Sequence, residues 1–289
     1  MFCFWIALAA VSGLFAGGPL IISGDGVILI WDASVPVAYR IDPGSLGVLT
    51  HEAGAQLVRD AFGRWDAVET SSITSRDAGL LNVDVDSTNF TGFLNAPQPE
   101  SSIIFDADGQ IIETVLGVGS SNSVLGFAAP QFSSGGFVSY GIAVLNGKLA
   151  GGSGFAQTMT HELGHLLSLD HTQINGEPFR GSVTPLMFPI SLNGQSPEPL
   201  RDDRAWISWL YPDPSFATTT GTISGRIRRR SGHYAFGTNV VAVKLEPDGE
   251  GGFVESDEER VSAVSDFLMS SNGAFTLPGL APGDYAVFV

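Results

Sequence analysis

The chain has 289 residues, 44% of them hydrophobic, enough for one large domain or a medium domain beside a small one, each with a buried core. Thirty acidic residues against fourteen basic ones leave a formal charge of −16, which repels phosphate backbones and anionic membrane surfaces and argues against nucleic-acid binding. The lone cysteine, Cys3, excludes an intramolecular disulfide, a cysteine-based zinc finger and an iron–sulfur cluster, while 36 glycines and 16 prolines point to many turns between short apolar strands.

The chain opens on an apolar run, Met1 to Ala16, too short to cross a bilayer and followed by Gly17 and Gly18. Residues 1–17 read as a secretory signal, which makes the mature product secreted or held at the cell surface, with no membrane insertion once the signal is removed. Because no Lys or Arg precedes the run, a buried first strand is the competing reading. Val35, Val37 and Tyr39 then alternate as a half-buried strand does, until Pro43 and Gly44. Between His51 and Val68 the residues Ala55, Leu57, Val58, Ala61, Phe62 and Trp65 recur near a 3.6-residue period, so a helix with one buried stripe is expected, with Thr50 as its N-cap and Gly54 weakening its first turn. Five short apolar stretches follow, over 81–85, 102–105, 110–115, 123–129 and 137–144, which suggest a twisted sheet with irregular loops.

A second helix is expected over Phe155 to Leu167, and a third begins near Asp202 and Asp203, whose charges suit a helix N-terminus. Pro212 and Pro214 close that unit. Residues 214–220 read as a linker, and from Gly221 to Val289 only alternating segments between Gly and Pro turns remain, a small β-sandwich pattern that ends on an apolar strand and reads as part of a longer module.

The chemistry gathers in the second helix. His161, Glu162 and His165 form an HExxH motif, and at 100° per residue the two histidines lie about 40° apart on a helical wheel, so both rings can face one ion. Phe155, Ala156, Met159, Leu163, Leu166 and Leu167 gather on the opposite side. Neutral imidazole suits zinc, and Glu162 is placed to reach a water on the metal. Catalytic zinc usually takes three protein ligands, and His171, six residues beyond His165, supplies the third if the chain turns sharply near Ser168.

These residues resemble the long motif of the metzincin metallopeptidases, HExxHxxGxxH, and more narrowly that of their matrixin branch. Residues 185–189 (PLMFP) look like the family's Met-turn, with Met187 as its methionine; 200–211 (LRDDRAWISWLY) are similar to its closing helix with paired aspartates; 31–42 (WDASVPVAYRID) look like its opening strand. The resemblance implies an α+β fold over 18–213, a twisted mixed sheet with an active-site helix and a closing helix. In the small all-β sandwich expected over 221–289, Gly273-Ala274-Phe275 and residues 280–285 (LAPGDY) resemble carboxypeptidase regulatory-like, transthyretin-like modules. The metzincin resemblance implies a monomeric zinc endopeptidase in which His161, His165 and His171 bind zinc and Glu162 acts as general base. Substrate would be a protein or peptide in extended form, laid along an edge strand at Val124, Leu125, Gly126, Phe127 and Ala128, with Pro189, Ile190 and Ser191 in the wall of the specificity pocket.

Several positions depart from that pattern. Ser168 stands where the family has glycine, at a turn that asks for positive φ. Phe127 replaces a histidine of the family's second zinc, so no such site is expected, and Ser191 replaces a pocket tyrosine. No cysteine follows Cys3, so latency through a thiolate on zinc is not expected. Asp106 and Asp108, in DADG, could donate oxygens to calcium, although a β-turn explains the same four residues. Two rivals remain: a non-catalytic adhesin or peptide-binding module that keeps zinc as a structural element, and a metallopeptidase whose third ligand is a carboxylate such as Glu198.

Overall fold

The computed structural model describes residues 17–96, 98–132, 137–172, 184–190, 195–268 and 270–289. Residues 1–16 of the signal expected over 1–17, and Ser191 of the expected pocket wall, lie outside them. The class is α+β, with one mixed sheet and two separate small antiparallel sheets. Among the described residues two units cluster: Trp31–Ala67 with Ile73–Ser168, and 17–30 with Val68–Ser72 and Leu169–Val289.

The first unit is built on strands β1 (Val37–Ile41), β2 (Ser75–Leu80), β3 (Ser101–Asp106), β4 (Gly126–Phe132) and β5 (Val138–Asn146), in the order β2-β1-β3-β5-β4. Pairing is parallel throughout except for β4, which runs antiparallel to β5 and forms an edge. Every residue of β3 is buried, as expected of a central strand covered on both faces. Helix α1 (His51–Asp66) starts at Thr50, whose hydroxyl accepts the Ala53 N–H at 3.3 Å, and lays Val58, Phe62 and Trp65 inward; the Phe62 ring stacks on Tyr39 of β1 with centroids 4.1 Å apart. Gly54 has a use beyond its expected cost to the helix: a Cβ there would sit 3.0 Å from the Phe105 ring.

Two of the expected apolar stretches behave differently. Residues 110–115 fold as a helix, α3 (Gln110–Leu116), because the carboxylates just before it satisfy its first N–H groups: Asp108 accepts from Gln110 at 3.1 Å and Asp106 from Ile112 at 2.9 Å. Its buried pair, Ile111 and Ile112, joins Ile104, Ile142 and Val144 in one core cluster, together with Phe90, which precedes the short helix α2 (Thr91–Asn95). Residues 81–85 form no strand; the strand is β2, whose polar SRDAGL carries no apolar alternation because it is an exposed edge.

Helix α4 (Phe155–Leu166) carries the HExxH residues and touches α1, β4 and β5. The Trp65 indole N–H donates to the Thr160 carbonyl at 2.8 Å and that of Trp31 to the Leu166 carbonyl at 2.8 Å, the latter occupying one of the carbonyls that a helix end leaves without intrahelical partner.

In the second unit, helix α5 (Arg201–Leu210) and the short helix α6 (Pro214–Thr219) precede five strands: β6 (Gly221–Arg226), β7 (Asn239–Pro247), β8 (Phe253–Val264), β9 (Ala274–Leu280) and β10 (Asp284–Phe288). They form a three-stranded sheet, β10-β7-β8, and a two-stranded one, β6-β9. The stretch expected as a linker is largely α6, started by Asp213, whose side chain accepts the Ser215 N–H at 2.8 Å. Helix α5 packs on β8 and β9: a Cβ at Gly279 would lie 2.7 Å from that of Ala205, and Trp206 meets Trp209 and Phe267 edge-on, both at 5.5 Å. The closing helix and the C-terminal strands thus belong to one compact unit.

Candidate metal centre

Three imidazoles converge. Among the described residues, His161, His165 and His171 are the one group of three or more candidate ligands, with donor atoms all within 4.8 Å of one another. His161 and His165 stand one helical turn apart on α4, their rings edge-to-face with centroids 4.7 Å apart. Both are nearly buried, at 9% and 7% exposure, and His171 is partly exposed. The expectation of a helix with one packed face understates its burial: 11 of its 12 residues are buried, including the polar Gln157 and Thr158.

His171 reaches this position through a tight turn. The Leu167 N–H closes the last regular helical bond to Leu163, and the Ser168 N–H bonds to His165 at 2.9 Å. Ser168 has φ 69°, in the left-handed region where glycine is favoured, as the motif comparison required. Beyond it, Leu169 bridges antiparallel to Pro19, Asp170 donates its N–H to the Gly18 carbonyl at 2.9 Å, and the His171 carbonyl accepts from the Gly17 N–H at 2.9 Å. The Asp170 carboxylate takes the His171 N–H at 2.7 Å. Burial pushes Asp170 up to about 7 despite that bond.

Glu162 lies in α4 between the first two histidines, 8% exposed. Burial raises its carboxyl to about 8, and the Ala128 N–H of β4, donating to it, acts in the opposite direction. β4 presses close here: a Cβ at Gly126 would fall 3.2 Å from the Glu162 Cγ. Of the residues expected to receive substrate, Gly126, Phe127 and Ala128 lie on this edge strand, and Val124 and Leu125 lead into it. Pro189 is half-buried and Ile190 is 51% exposed.

Met187 is 2% exposed in a turn closed by the Phe188 N–H on the Pro185 carbonyl at 3.1 Å. The turn is held by Asp203, which accepts from Leu186 at 2.8 Å, Met187 at 2.9 Å and Leu200 at 2.7 Å. Burial raises Asp203 to about 6, against the pull of those donors. Its neighbour Asp202 accepts from the Thr172 hydroxyl at 2.8 Å and the Ser262 N–H at 2.6 Å; burial, then the charge of Asp203, raises it to about 7.

The carboxylates of Asp106 and Asp108, expected as possible calcium ligands, are both engaged as N-terminal caps of α3. Glu198 is exposed and outside the histidine group. Sequence reasoning did not assign roles to Thr172, Asp170 or Ser262; the first two were adjacent to a recognisable ligand, but nothing local marks Ser262.

No family model matches this sequence, and no curated protein matches it.

Proposed function

We propose that the chain is a secreted zinc endopeptidase of the metzincin type, which hydrolyses peptide bonds within extended segments of other proteins. The observation that carries this reading is the convergence of three imidazole donors within 4.8 Å beside a nearly buried glutamate of the same helix. The donor set suits zinc: three neutral nitrogens are the protein ligands of a catalytic-type site, and His161, His165 and His171 would hold the ion. When bound, zinc polarises a carbonyl and acidifies water.

The protein's own groups do the rest. His161 and His165 are held on α4 and nearly buried, and His171 is partly exposed. Glu162 accepts a proton from water and delivers it to the departing amine, and its low-dielectric surroundings, which raise its carboxyl, bring its basicity nearer to neutral pH, where a general base is most effective. The free edge of β4 offers backbone groups to an extended peptide, as β-augmentation requires.

The test is cleavage of a generic protein substrate with and without a zinc chelator, repeated with Glu162→Gln. Chelation should abolish turnover, and Glu162→Gln should lower kcat by about 100-fold or more while zinc remains bound. Zinc binding without turnover in the parent protein would favour the non-catalytic binding module, and full activity of the Gln variant would remove the assigned base.

A further inference from the structure

The open edge of β8 is closed by helix α5 in a specific way. β8 is an edge strand of its sheet, and Ser262 pairs with Val241 on its inner side. On its outer side the Ser262 N–H donates to Asp202 at 2.6 Å, while its carbonyl accepts from the indole of Trp206 at 2.8 Å. Asp202 and Trp206 are four apart on α5, one helical turn, so one face of the helix satisfies both outward backbone groups of a single residue. The Ser262 hydroxyl adds a second bond to Asp202 at 3.2 Å.

Asp202 also faces the other way. Its second oxygen accepts the hydroxyl of Thr172 at 2.8 Å, and Thr172 is the residue after His171. Thr172 is held on its main chain as well, by its N–H on the Met187 carbonyl at 2.8 Å. Ser262, Asp202 and Thr172 are each no more than 1% exposed, so water does not substitute for these bonds. Without Ser262, Asp202 would keep only one side-chain partner for a buried carboxyl, and its grip on Thr172 would loosen.

We propose that Ser262, a residue of the C-terminal β region, is a positioning residue of the three-histidine centre: through Asp202 and Thr172 it fixes the segment that carries His171. The inference rests on the metal-binding reading above and adds to it that the C-terminal strands are a working part of the site. Groups that orient metal ligands from behind typically change metal affinity by about 10–100-fold when removed.

The experiment uses the full chain. Zinc affinity is measured by competition with a chromophoric chelator, and cobalt(II) replaces zinc to give a visible spectrum sensitive to ligand geometry. Thr172→Val, which keeps the shape and deletes the hydroxyl, should weaken zinc binding by roughly 10-fold or more and alter the cobalt spectrum, and Thr172→Ser should restore both. Ser262→Ala leaves the backbone bond to Asp202 and should weaken zinc binding by a smaller factor, roughly threefold, with the cobalt spectrum shifted in the same sense. Thermal unfolding of each metal-free variant verifies that it folds; should Thr172→Val fail to fold, Ser262→Ala decides alone. Parent affinity and an unchanged spectrum in Ser262→Ala would overturn the proposal, including when Thr172→Val is impaired, since the effect would then stop at Asp202. A parent chain that binds no zinc or cobalt would instead overturn the metal reading itself, and this inference with it, before any variant is compared.

Discussion

Ser168→Gly should stabilise the protein. Ser168 adopts φ 69°, which costs a non-glycine residue about 1–2 kcal/mol, and its hydroxyl is buried with no hydrogen-bond partner among the described residues, which adds about 1–2 kcal/mol of desolvation. Glycine removes both terms. Against it stands the greater freedom of glycine in the unfolded chain, about 0.4–1 kcal/mol. The balance favours glycine by about 1–3.5 kcal/mol, which for a chain of this size raises the thermal midpoint by roughly 2–14 °C. Ser168→Ala separates the contributions, because alanine deletes the hydroxyl and keeps the strained φ; its midpoint should fall between those of the parent and the glycine variant. Thermal unfolding of the metal-free proteins, followed by far-UV circular dichroism, is the assay. A lower midpoint for Ser168→Gly than for the parent would refute the reasoning, by showing that the serine side chain contributes more packing than its conformation costs.

Gly47→Ala should prevent folding of the first unit: at φ 58° an added Cβ would lie 1.8 Å from the Gly147 carbonyl oxygen, a backbone atom that cannot step aside, and soluble expression would report the loss. Stability should also depend on pH through Asp202. Its folded value of about 7 lies above the reference of 3.8, so its contribution is full below about pH 4 and is lost as pH rises towards 7. The metal-free parent should therefore lose on the order of 3 kcal/mol between pH 5 and 8 from this group, and Asp202→Asn should show a shallower slope; parallel curves would exclude Asp202 as the source. Zinc at about 100 times its dissociation constant should add about 2.7 kcal/mol to stability, and His171→Ala should remove most of that gain in the same thermal assay. Trp65→Phe should cost about 1–2 kcal/mol in denaturant unfolding, because the Thr160 carbonyl loses a buried donor at 2.8 Å.

Helices α1 and α4 were legible because their information is local: a 3.6-residue apolar period for one, and ligands four residues apart for the other, survive any tertiary context. The need for a turn at Ser168 was legible for the same reason, since the spacing of His165 and His171 leaves the chain few other ways back. β2 and α3 were not. A polar edge strand has no apolar face to alternate, and seven residues that include adjacent isoleucines read equally as strand or helix until the side chains of Asp106 and Asp108 cap the N–H groups that follow them.

By itself, the order of residues determined the α+β class, the two main helices of the first unit and the identity of three imidazoles with a glutamate among them. Only the tertiary structure decided that those imidazoles come within 4.8 Å of one another, that the carboxyl of Glu162 is buried, and that Asp202 joins Thr172 to Ser262 across 90 residues of chain. The physical reason is that a helical period is written in adjacent residues, whereas burial and long-range hydrogen bonds depend on which distant segments are brought together, and no local pattern of side chains encodes that.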